Sequence, residues 1–104
     1  MQWKTEQSKQ LFEAILLLES LEEAQNFFRD LLTDQEIVEF SNRFAVAKML
    51  YEGVPYTQIQ EQTGMSSTTI ARISKWLNKG MNGYKTQLNR ISPHAGTSSQ
   101  KSSA

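Results

Sequence analysis

Apolar residues recur along this chain at intervals of three and four, with no sustained alternation of two, so it can fold only as helices packed through apolar stripes. Leu11, Phe12, Ile15 and Leu16 repeat at one-face spacing, and Leu17 and Leu18 widen that stripe to nearly all sides. A helix so apolar has to be buried, and a contact between subunits is one way to bury it. Ser20 followed by Glu23 is a capping signature ahead of an apolar face of Leu21, Ala24, Phe27, Phe28, Leu31 and Leu32. Thr33 and Glu36 repeat it and open the longest expected helix, in which Ile37, Phe40, Phe44, Ala47 and Tyr51 keep the spacing until Gly53 and Pro55 stop it.

Two short helical segments follow, Tyr56 to Thr63 and Ser66 or Ser67 to Leu77, separated only by the turn around Gly64. Gly80 and Gly83 end that region, and Tyr84, Leu88 and Ile91 allow one more short helix. From Ser92 to Ala104 there is almost nothing to bury, which predicts a disordered polar tail behind a helical domain spanning residues 1–91. The expected class is all-α, with five or six helices.

Composition narrows the function. At 104 residues and 38% hydrophobic, the chain has room for one small domain with a modest core. It has no Cys, hence no disulfide, thiol nucleophile or cysteine-based zinc site, and its sole His, His94, falls in the predicted tail. No metal, cofactor or catalytic cluster can be assembled from what remains, so an enzyme is the least favoured class. The longest apolar run, Ala14 to Leu18, is far short of the roughly 18 residues a membrane span needs. Met1 to Gln10 is too polar for a signal peptide, so a cytoplasmic setting is expected.

The formal net charge is zero, from 11 basic and 11 acidic residues, which taken alone disfavours a nucleic-acid partner. Position changes that reading. Up to Phe40 there are 3 basic and 9 acidic residues, a net −6; from Ser41 onward there are 8 basic and 2 acidic, a net +6. No acid follows Glu61, while Arg72, Lys75, Lys79, Lys85, Arg90 and Lys101 do.

The positive half contains YTQIQEQTGMSSTTIARISKWL, Tyr56 to Leu77. A short helix, a glycine able to turn left-handed and a second helix with one apolar face are the parts of a helix-turn-helix. Ile59 anchors the first helix, Met65 plugs the corner, and Ile70, Ile73 and Leu77 seat the second. Its outward positions are then Ser67, Thr68, Ala71, Arg72 and Lys75, with Thr69 at the edge. Small hydroxyls allow close approach to a major groove, and the amides at the helix start favour a phosphate oxygen. The DNA-contacting set read from this pattern is Ser66, Ser67, Thr68, Thr69, Arg72, Lys75 and Lys79. Helix pairs of this kind also occur in proteins that never touch DNA, so a protein-interaction module is the competing class.

These residues carry a resemblance. LTDQEIVEFSNRFAVAKMLYEG leading into the segment above resembles the Trp repressor superfamily, and the YxxI…GxSxxTIxRxxxWL pattern with the following GMNGY is most similar to its YerC/YecD group. The resemblance implies a six-helix, intertwined homodimer that presents two recognition helices to double-stranded DNA as a repressor-like regulator. It also implies a ligand position in which tryptophan lies between two arginines, near a Thr and a Ser. Thr33, Arg43 and Arg72 match the Thr and Arg positions, but Ile73 stands where the family has a glycine and Trp76 where it has the Ser. Both replacements are bulky, so the expectation is a protein that does not respond to free tryptophan; any other small-molecule effector stays open.

Overall fold

The computed structural model describes residues 2–92; the expected tail, His94 included, lies outside them apart from Ser92. Among the described residues there are six helices and no strand: α1 (Glu6–Leu16), α2 (Leu21–Leu31), α3 (Asp34–Tyr51), α4 (Tyr56–Thr63), α5 (Ser67–Lys79) and α6 (Gly83–Ile91). The chain divides into two compact units, one running to Val38 and one beginning at Glu39, so the division falls within α3.

Local polar chemistry sets most helix starts in the first unit. At α1 the Thr5 hydroxyl accepts the Ser8 N–H at 3.1 Å, and the Ser8 hydroxyl accepts the Thr5 N–H at 2.9 Å. Ser20 caps α2 by accepting the Glu23 N–H at 3.1 Å, although the Glu23 carboxylate takes the N–H of Glu19, at 3.0 Å, instead of closing on Ser20. At α3 the reciprocal box is complete, with Thr33 accepting from the Glu36 N–H at 3.1 Å and Glu36 from the Thr33 N–H at 2.9 Å. Arg29 joins the end of α2 to the start of α3 through a 2.8 Å pair with Asp34.

Helix α1 ends at Leu16, two residues short of the apolar stretch expected to run to Leu18. The Leu17 and Leu18 amides bond back to Ala14 and Ile15, three residues earlier, which tightens the last turn and closes the helix. Neither α1 nor α2 contains a buried residue. Leu16, Leu17 and Leu21 are 82%, 76% and 75% exposed, so within the first unit this apolar stretch is left largely uncovered among the described residues.

The second unit holds the core. Val46 and Ala47 from α3, Ile59 from α4, Ile70, Ile73 and Leu77 from α5, and Leu88 from α6 are buried together. Phe44, Met65 and Tyr84 pack against them half-buried. Each fully buried Ile, Leu or Val contributes about 1.5–3 kcal/mol from apolar burial, which makes this cluster the main apolar contribution to the unit. The link from α5 to α6 depends on Gly80, where a Cβ would run into the Trp76 carbonyl oxygen of the backbone. Asn82 follows in the left-handed region at φ 68°, one of the few residue types that accepts it.

Replacing Ile59 by Ala is expected to lower the free energy of unfolding by about 2–5 kcal/mol in urea titration. Gly80→Ala should also destabilise, whereas Gly83→Ala, which meets open space, should cost less than Gly80→Ala in the same titration.

Candidate nucleic-acid interface

Helices α4 and α5 meet through a three-residue turn. Gly64 takes φ 73° and closes α4 with its N–H on the Gln60 carbonyl. Thr63 clamps the same turn from the side. Its hydroxyl donates to the Ile59 carbonyl at 2.7 Å and accepts the Met65 N–H at 3.1 Å, tying the last turn of α4 to the first residue beyond the glycine. Met65 then packs against the core. The turn therefore has fixed geometry on both of its sides.

Helix α5 runs through Lys79, two residues past the expected end at Leu77, which carries Lys79 on its last turn. Ile70, Ile73 and Leu77 are buried at three- and four-residue spacing, which turns Ser67, Thr68, Ala71, Arg72, Lys75 and Lys79 outward, and all six are exposed. Ser66 and Thr69 are engaged with each other. The Ser66 hydroxyl accepts the Thr69 N–H at 3.2 Å as the helix cap and donates to the Thr69 hydroxyl at 2.9 Å, and Thr69 is half-buried. Their first role is to start α5, leaving Ser67 and Thr68 as the freely presented hydroxyls at that end.

The electrostatics follow the same division. Among the described residues, Arg29 pairs with Asp34 and Lys48 with Glu52, both remote in sequence from α5. Arg72, Lys75 and Lys79 form no ion pair there, so no carboxylate has to be displaced before these cations meet an anion.

The residues matched to an effector position are placed as follows. Thr33 lies in the first unit, and its hydroxyl is committed to Glu36 at the start of α3. Arg43 lies on α3 with its guanidinium 5.3 Å from the Phe40 ring centre. Arg72 is exposed, Ile73 is part of the buried core, and Trp76 is 45% exposed. Trp76 lines an open, largely apolar hollow of about 560 Å³ with Phe44, Met81 and Tyr84. Among the described residues there is no metal-binding cluster and no helix long and apolar enough to cross a membrane.

A short helix, a three-residue turn with a left-handed glycine and a second helix with a buried stripe and a cationic outer face make up a helix-turn-helix. Residues 6–92 match the Trp repressor protein family, and the chain belongs to it, a family of regulatory DNA-binding proteins. It is 44% identical over 92 residues to the uncharacterised protein YerC of Bacillus subtilis, covering 88% of both chains. A TrpR-like protein from Eubacterium eligens superposes with a TM-score of 0.79 at 48% identity, over 85% of this chain and 91% of that one. A candidate Trp repressor from Staphylococcus aureus gives 0.78 at 40% identity, over 85% and 88%. The six-helix, all-α Trp-repressor-like architecture expected from the sequence is thus the one observed.

Ser66→Ala is expected to cost about 1 kcal/mol of stability through loss of the cap. Thr63→Val should cost a similar amount by leaving the Met65 N–H without its acceptor, with Thr63→Ser restoring it; urea titration of the three variants measures both effects.

Proposed function

We propose that this protein is a sequence-specific, DNA-binding transcriptional regulator of the repressor type that acts as a homodimer. The observation that carries the reading is the outward face of α5: two free hydroxyls and three cations without ion pairs among the described residues, on a helix seated rigidly by Ile70, Ile73 and Leu77. Ser67 and Thr68 approach base edges or phosphate oxygens at the helix start, Arg72 reads a base edge or holds a phosphate, and Lys75 and Lys79 contact backbone. Ser66 and Thr69 act mainly by holding the start of α5 in place.

The dimer reading rests on the open apolar faces of α1 and α2, where Leu16, Leu17 and Leu21 are largely exposed in the single chain. A second copy buries them. Tryptophan is not the effector in this reading, because Ile73 is packed in the core and the Trp76 indole stands on the same helix one turn beyond Arg72. DNA binding then needs no added tryptophan, and the protein works in the cytoplasm, where the duplex is.

Thr68→Asp and Arg72→Ala should each weaken duplex binding in gel shift by about 1–3 kcal/mol, roughly tenfold to a hundredfold, while leaving sedimentation at twice the 11.9 kDa chain mass. Unchanged affinity in both variants rules out α5 as the reading helix. In wild-type protein the log of affinity should fall with log salt by about 0.9 per phosphate contacted. Calorimetric titration with millimolar L-tryptophan should show no binding; one ligand per subunit contradicts the reading of Ile73 and Trp76.

A further inference from the structure

A second hollow in the same unit differs in character from the one beside Trp76. It has a volume of about 410 Å³ and lies where the end of α3 meets α6, lined by Tyr51, Asn82, Lys85, Thr86, Asn89 and Arg90. Among the described residues no carboxylate lines it. Glu52, the nearest acid in sequence, is held by Lys48 at 3.0 Å. Lys85 and Arg90 form no ion pair among the described residues, so two cations border the space without a counter-charge.

The polar side chains around them are biased toward donation. The Tyr51 hydroxyl is directed at Asn89 Oδ1, 3.5 Å away, which turns the amide oxygen toward Tyr51 and leaves its NH2 group to donate. The Thr86 hydroxyl is spent on the Asn82 carbonyl at 2.8 Å. Beside the hydroxyl and amide oxygens of this lining, the charged groups the hollow offers a ligand are an ammonium and a guanidinium, with the amide NH2 of Asn89 next to them. That set suits a ligand that is anionic, compact and acceptor-only. The start of α6, where Asn82 provides no side-chain cap, adds its positive end to the same region.

From this the geometry points to a phosphate-binding site formed by Lys85, Asn89 and Arg90, separate from the outward face of α5. The phosphate is either a backbone group of a bound duplex or a free phosphate monoester. The site does not depend on α5 reading DNA, and its test has an arm without DNA.

Backbone amide shifts of the full-length, isotope-labelled chain are followed during titration with inorganic phosphate, and again with chloride at matched ionic strength. The expected result is a saturating shift at Lys85, Asn89 and Arg90 with phosphate alone, abolished in the Lys85→Gln/Arg90→Gln double variant. Both substituted side chains are exposed, so helical circular dichroism should be unchanged in that variant. A shift that chloride reproduces, that fails to saturate or that survives in the variant overturns the site. Duplex affinity against salt then separates the two sources. A log-log slope that is shallower in the variant, by about 0.9 for each phosphate it no longer neutralises, identifies the duplex backbone; an unchanged slope with a positive phosphate titration identifies a free monoester.

Discussion

The seating of α5 is the constraint on which the rest of this molecule depends. Ile70, Ile73 and Leu77 must all face inward against Ile59, Val46, Ala47 and Leu88, and a helix turns by about 100° per residue. A slip of one position would bury a hydroxyl or a cation and expose an isoleucine. The inward stripe therefore decides which residues face out, and the turn decides where they are. Gly64 supplies the left-handed conformation, and the Thr63 hydroxyl bridges both sides of it. The outward face is in this sense a by-product of core packing, with chemistry assigned to the positions that packing leaves over.

Charge is distributed along the chain in the same spirit. A net charge of zero conceals −6 up to Phe40 and +6 from Ser41, and the ion pairs among the described residues use Arg29 and Lys48 while leaving the cations of α5 uncommitted. Such surface pairs contribute little stability, on the order of 0–1 kcal/mol, so their absence around α5 costs the fold almost nothing.

Much of this was legible in the sequence because it depends on local rules. The all-α class with five or six helices, the left-handed glycine, the capping residues Ser20 and Thr33, and the inward stripe of α5 all follow from spacing and turn chemistry within a few residues. The boundaries were less accessible. The apolar run continues to Leu18 but α1 closes at Leu16, because hydrophobicity does not distinguish an α-helical bond from the tighter bonds that Leu17 and Leu18 make. At the site, the pattern could not separate hydroxyls that face a ligand from hydroxyls that bond their own backbone, since Ser and Thr do both. Ser66 and Thr69 proved to hold each other, and Thr63 took a role that nothing but its position before Gly64 could have suggested. The hollow at Lys85 and Arg90 could not be read at all, because Tyr51 and Asn89 are 38 residues apart and meet only in the fold.

Selection of bound sequences from a random duplex pool by the full-length protein tests the central claim most directly. Two α5 helices related by a dimer axis should enrich a two-fold symmetric site whose half-sites are about one helical turn apart, roughly 34–36 Å, the spacing shared by helix-turn-helix dimers with the Trp repressor among them. No enriched sequence, or an enriched site that persists unchanged when Arg72 is replaced by Ala, would contradict the assignment of α5 as the reading helix.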